Sequence, residues 1–214
     1  MFGKIITNNQ KGNLLMKVCK NEFLKKEGIL AVDPGYSFYS GAGWSFFEDG
    51  KLKYCGAVKP FAPGCTSLQS VFEVLQKISK TWEDIKGFSI KPSILCLESP
   101  VTYQHYAKNI NTNVLGEIHY LNGMLTERFQ PEEVLRVTPF QWKGNKPKEE
   151  HHIEIIKSLD SYSKKKLEDC LSTIPKKQHH NVVDAVGLGL YAIPFEEKMY
   201  ENKLTRLSLA NKNG

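Results

Sequence analysis

Apolar residues in this chain come in short bursts broken by turn-forming residues, and the first clear burst, Ile29 to Val32, ends in Asp33, Pro34 and Gly35. An apolar, partly β-branched run closed by breakers predicts a short buried strand. Residues 41–47 and 51–58 follow as two more strands separated by Glu48, Asp49 and Gly50. Together they predict an antiparallel meander with Asp33 at the end of its first, central strand. Beyond a Pro- and Gly-containing loop at 60–64, Val71, Val74, Leu75, Ile78 and Trp82 recur at helical spacing. One amphipathic helix, opening at Thr66 and Ser67, therefore crosses over from the meander. Residues 94–97 repeat the design of the first strand: an apolar run, then Glu98, then Ser99 and Pro100. Val114, Leu115, Ile118, Leu121 and Leu125 mark a long helix over 111–129, with Gly116 and Gly123 read as points of close approach. A strand over 134–137, a basic loop from Trp142 to Lys148 and a helix over 149–159 come next. The segment 164–177 is charged and poorly patterned, and His179 to Ala192 reads as a helix with small residues on its packing face and a polar, fraying tail.

This order predicts one α/β domain with a central mixed five-stranded sheet, an antiparallel meander plus parallel strands, flanked by helices. The domain is expected over 28–195, with an N-terminal extension at 1–27 and a polar C-terminal tail at 196–214. A length of 214 residues suits one substantial core.

Composition narrows the picture only moderately. The net charge of +6, from 29 Lys plus Arg against 23 Asp plus Glu, fits a phosphate-rich partner without requiring one. Five cysteines, odd in number and with no close pairs, argue against a disulfide framework or a zinc knuckle. They point to a reducing, intracellular compartment: cytoplasm or nucleoid, a virus-infected cell, or an organelle. No run approaches membrane-spanning length, and the N-terminus lacks the apolar core of a secretory signal, so no membrane association is expected.

The chemistry is carried by three acids far apart in sequence. In a parallel sheet the C-terminal strand ends share one edge, so Glu98 is expected beside Asp33. Asp184 lies in an otherwise apolar helix with Val182, Val183, Ala185 and Val186, where a solvent-facing acid is out of place. A buried acid at a strand end is costly unless it meets a cation or a hydrogen-bond cluster. Three such carboxylates suit two-metal phosphodiester chemistry, in which Mg²⁺ ions ~4 Å apart activate a water and stabilise the leaving oxygen. His180 and Asn181 stand four and three residues before Asp184, where they either share its site or cap the helix. His151, His152 and His179 read as solvated surface residues.

The segment from Ile29 to Gly35 with a Gly-containing second strand, Cys96 to Pro100, Thr138 to Gly144, and Asn181 to Ala185 together resemble the RuvC-type Holliday junction resolvases of the ribonuclease H-like superfamily. The likeness spans roughly residues 28–193. Each motif is short, and their order and separations carry the resemblance. It implies a ribonuclease H-like fold and a homodimer that binds four-way DNA junctions and cuts two strands with Mg²⁺ or Mn²⁺, two ions per site. Asp33, Glu98 and Asp184 would be metal ligands. The family usually places a fourth ligand three residues before the last acid, where this chain has Asn181. Either Asn181 or His180 would then complete the set, with imidazole the better donor. The resemblance also puts Lys143, Lys146 and Lys148 in a loop that approaches the scissile phosphate, Lys143 and Lys148 being the better placed. Tyr103 follows the second acid, where the family has an aromatic that wedges into the junction. The run Lys164 to Lys166 is either a solvated face or a set of sequence-independent phosphate contacts.

Three other readings compete. A flap or branched-DNA nuclease of the same superfamily would share these residues, and a non-catalytic junction-binding protein would keep only the basic surface. An actin-like or sugar-kinase ATPase shares the first hairpin but needs a second Gly-rich half that this chain lacks.

Overall fold

Alternation along the strands decides which residues face which layer. In the computed structural model, which describes residues 28–35, 37, 39, 41–60, 67–87, 90–99 and 112–210, Ile29, Ala31, Ile94 and Cys96 enter one core cluster. Their neighbours Leu30, Val32, Leu95 and Leu97 enter a second cluster on the other side of the sheet. Because successive strand side chains point to opposite faces, the first file also carries Asp33 and Glu98. The pleat therefore sends both acids to the same layer.

Strands β1 (Ile29–Asp33), β2 (Ala42–Glu48), β3 (Lys51–Val58), β4 (Ile94–Glu98) and β5 (Glu133–Val137) form one sheet in the order β3-β2-β1-β4-β5. The meander β1 to β3 is antiparallel, and β1–β4 and β4–β5 are parallel. This is the mixed five-stranded sheet that the sequence predicts. Helices α1 (Ser67–Lys86) and α2 (Thr112–Phe129) bury Val71, Val74, Ile78, Trp82, Leu121, Leu125 and Phe129 against one face. On the other face lie α3 (Pro139–Lys143), α4 (Lys148–Ser158), α5 (Ser161–Thr173) and α6 (His179–Ala210), which bury Trp142, Ile155, Leu167, Val182, Val186 and Leu188.

Helix α6 lies unusually close to β2, and small residues on both elements permit it. A Cβ on Gly43 would come within 1.9 Å of the Asn181 carbonyl oxygen, and one on Gly189 within 2.3 Å of the Phe47 ring. Ser45 Oγ, in the same file as Gly43, donates to the Ala185 carbonyl at 2.7 Å. Since Gly43 is the register partner of Asp33, this seat brings the N-terminal part of α6 against the strand that carries the first acid.

Several sequence expectations need correction. A Cβ on Gly116 or Gly123 would meet nothing within 4 Å, and the close approaches fall to other glycines, Gly43, Gly187 and Gly189 among them. The stretch from Trp142 to Lys148 is not one loop: Pro139 and a reciprocal Thr138–Gln141 capping box start α3 before it. Within the charged segment 164–177 the chain is mostly helical, α5 being opened by Asp160, which accepts from Ser163 N at 2.7 Å. Helix α6 does not end near Ala192 but runs through Pro194 to Ala210. Residues 1–27 and Tyr103 lie outside the described residues.

Gly43→Ala is expected to destabilise the fold by about 1–3 kcal/mol in chemical denaturation, because backbone rather than a flexible side chain blocks the new methyl. Gly116→Ala, in open space on a helix, is expected to be neutral or to stabilise by roughly 0.5–1 kcal/mol.

Candidate active site

The three acids predicted from sequence converge at the C-terminal edge of the sheet. Val32 pairs with Leu97 in the parallel β1–β4 ladder, which leaves Asp33 and Glu98 side by side at the next step. Asp184 reaches them from α6 with its side chain only 5% exposed. Their charges act on one another. Burial, then the charges of Glu98 and Asp184, push the Asp33 carboxyl well above the usual carboxylate range, against the opposing pull of Lys148 and Lys143. Burial also raises Glu98, and Lys143 and the Trp142 indole offset part of that rise.

The flanking helices supply the counter-charges. Val137, the last residue of β5, is the register partner of Glu98, and α3 begins directly after it. One turn later Trp142 Nε1 donates to Glu98 Oε2 at 2.8 Å, and Lys143 Nζ stands 3.8 Å from the same oxygen. Lys148 and His152 lie one turn apart on α4, so they share a face. Lys148 Nζ is 2.8 Å from Asp184 Oδ2, and His152 Nε2 donates to Asp184 Oδ1 at 2.8 Å. Burial alone would raise Asp184, yet these two hydrogen bonds hold it below its ordinary value.

Of the remaining sequence candidates, Asn181 donates its side-chain amide to the Gly41 carbonyl at 2.9 Å and so ties α6 to the start of β2. His180 is half-buried near Asp184 and Lys148, and burial and then the Lys148 charge lower its pKa. Lys146 pairs with Glu154 on the exposed side of α4, not with the acids. Lys164 to Lys166 lie toward the opposite sheet edge, where Ser163 Oγ accepts from Leu52 N.

The reading of three histidines as solvated surface is overturned. His179 Nε2 donates to the Ile174 carbonyl at 3.1 Å, and His152 contacts an acid of the site. His151 is buried edge-on to Trp142, with ring centroids 4.9 Å apart and neither ring nitrogen paired. Burial lowers its pKa. Sequence reasoning also passed over Trp142 as a partner of Glu98. The sequence reading ended a loop at Lys148 and began the helix at Glu149, which hid the one-turn spacing of Lys148 and His152 on α4. At the rim, exposed Tyr39 in the loop after β1 has Lys177 Nζ 5.5 Å from its ring centre.

Among the described residues no three His, Cys, Asp or Glu side chains are grouped tightly enough to hold a metal ion as they stand. The donor chemistry nevertheless suits a hard divalent cation. Carboxylate oxygens dominate the cluster, and burial, then the charges of Glu98 and Asp184, leave Asp33 raised in spite of Lys148 and Lys143.

This is a ribonuclease H-like fold of the kind found in Holliday junction resolvases, with acids gathered at the C-terminal strand ends. Among solved structures, T. thermophilus RuvC in complex with a Holliday junction substrate is similar at a TM-score of 0.50 and 14% identity, covering 77% of this chain and 94% of that one. The yeast mitochondrial Holliday junction resolvase Ydc2 is similar at a TM-score of 0.51 and 13% identity, covering 92% of this chain and 91% of that one. No family model matches the chain, and no curated protein matches it either. Among the described residues no helix is long and apolar enough to cross a membrane.

The opposite shifts of the two aspartates give opposite stability effects. A carboxyl raised on folding, as Asp33 is, opposes folding as pH climbs from its unfolded value through the raised one. A lowered carboxyl, as Asp184 is, adds stability above its unfolded value and loses it as pH falls. Asp33→Asn is therefore expected to raise the denaturation midpoint at about pH 7 and to change it little at about pH 4. Asp184→Asn is expected to cost about 1–2 kcal/mol at neutral pH, discounted for the exposure of Lys148.

Proposed function

We propose that this chain is a divalent-metal-dependent endodeoxyribonuclease that resolves four-way DNA junctions. The observation that carries this reading is the meeting of Asp33, Glu98 and Asp184 at one sheet edge, beside Lys143 and Lys148. In the resolvase structures of the same fold, one is bound to a Holliday junction, and this chain's acids and lysines suit the chemistry of cutting such a substrate.

In this reading the three acids hold Mg²⁺ or Mn²⁺. Held there by Asp33, Glu98 and Asp184, two such ions would supply an activated water and charge stabilisation at the leaving oxygen, chemistry that would leave 5′-phosphate and 3′-hydroxyl ends. Trp142 fixes the Glu98 carboxylate through its indole N–H. Lys143 and Lys148 offer ammonium groups to the phosphate oxygens, where charge grows in the transition state. Exposed Lys177 and Tyr39 extend the rim toward the DNA, one as a phosphate contact and the other as a stacking face.

Symmetric cutting needs a second copy of the site, and α2 offers a surface for pairing. Val114 and Tyr120 face outward, and Phe72 of α1 meets Tyr120 edge-on with centroids 6.3 Å apart. A homodimer would bury them.

An immobile four-way junction incubated with Mn²⁺ is expected to be cut in two symmetric strands, with linear duplex left intact; equal cutting of flap and duplex would move the reading to a broader nuclease. Asp33→Asn should abolish cutting while junction binding persists in gel shifts, and normal turnover would remove Asp33 from the site. Lys143→Ala should lower kcat by roughly 10²-fold, with a smaller change in junction affinity. The solution mass should be near twice 24.3 kDa, and a strict monomer on DNA would refute paired cutting.

A further inference from the structure

Glu98 ends its strand with a backbone carbonyl that the sheet cannot satisfy. Along β4 successive peptide groups turn alternately to the two neighbouring strands. Ser93 O accepts from Glu133 N and Ser99 N donates to Val137 O, so the odd-numbered residues face β5. Ile94, whose N–H donates to Gly28 O at 3.4 Å, faces β1, and with it Cys96 and Glu98. In a parallel ladder the Glu98 carbonyl would take its hydrogen bond from residue 34, one step beyond Asp33 on β1. That residue is Pro34, which has no N–H to give.

Asn122 fills the gap from the other layer. It lies on α2 beside Leu121 of the core, is only 2% exposed, and donates from Nδ2 to Glu98 O at 3.0 Å. Its Oδ1 is buried with no hydrogen-bond partner among the described residues. The amide thus makes one bond while leaving another unmade, and an apolar side chain would suit such a position better for stability alone.

We infer that Asn122 is a positioning residue for the second acid: it replaces the ladder bond that Pro34 withholds and so fixes where the Glu98 side chain leaves the sheet. The inference deepens the nuclease reading above, in which Glu98 touches the reacting groups. On the opposite face the Trp142 indole holds the carboxylate itself. Glu98 is therefore anchored at both ends, by its backbone toward α2 and by its side chain toward α3. Losing the backbone anchor should let the acid drift, and a shift of about 1 Å in a positioned group is enough to slow catalysis.

The Glu98 carbonyl and the Ser99 N–H belong to one peptide group, so hydrogen exchange at Ser99 reads this anchor with neither DNA nor metal present. In the full chain, Asn122→Leu should speed Ser99 exchange about tenfold while exchange at Leu52, toward the opposite sheet edge, stays as in wild type. The same variant should lower kcat on a four-way junction with Mn²⁺ roughly 10- to 100-fold, with KM and junction affinity near wild type. Asn122→Ala, which crowds nothing, should behave alike and guards against a packing defect. Pro34→Ala restores an N–H at residue 34, and combined with Asn122→Leu it should return both Ser99 exchange and kcat most of the way to wild type. Unchanged Ser99 exchange in both Asn122 variants overturns the inference, as does a double variant that recovers neither quantity. So does faster exchange with kcat unchanged, which would make Asn122 a purely structural residue. A wild type that cuts no junction, while Ser99 exchange responds as expected, would instead bring down the nuclease reading and leave the anchor on Glu98 standing.

Discussion

Burial of three neighbouring carboxylates at one sheet edge is the constraint around which this structure is arranged. Asp33 bears the cost, being raised by burial and by the charges of Glu98 and Asp184. Four contacts relieve that field: Lys143 and the Trp142 indole on Glu98, Lys148 and His152 on Asp184. A fold gains nothing in stability from such a cluster. Natural chains tolerate unfavourable groupings of this kind where function uses them.

The rest of the architecture serves to hold the cluster in place. Parity along β1 and β4 sends Asp33 and Glu98 to the layer occupied by α6. The missing side chains of Gly43 and Gly189, and the hydroxyl of Ser45, let α6 sit directly on β2. That seat fixes the height of Asp184 above the sheet. Helix α3 follows β5 at the same edge through the Thr138–Gln141 capping box, and α4 brings one face of lysine and histidine to the opposite side of Asp184. A displacement of α6 would therefore separate the acids without touching any of them.

Much of this was legible before any coordinates. An apolar run ending in an acid and a breaker occurs at both Asp33 and Glu98, and strand physics turns that pattern into a shared edge. Asp184 declared itself by contrast with its valine and alanine neighbours. Less legible were features that depend on tertiary docking. Gly116 and Gly123 looked like packing glycines because helical position alone does not say which face meets a neighbour, whereas the glycines that matter, Gly43 and Gly189, act through contacts between β2 and α6. Helix α5 was hidden by lysines that mask its buried Leu167, and Pro194 and the polar residues after it suggested an end that α6 does not have. His152 looked like a surface residue because its partner is 32 positions away.

The account stands or falls on whether the acid cluster is a cation site. Crystals grown with Mn²⁺ and measured at a wavelength where manganese scatters anomalously would decide it most directly. The account predicts an anomalous peak bounded by the carboxylates of Asp33, Glu98 and Asp184, with the Lys148 ammonium displaced from Asp184. A protein that crystallises with these three carboxylates unchanged and manganese bound elsewhere, or nowhere, would contradict it.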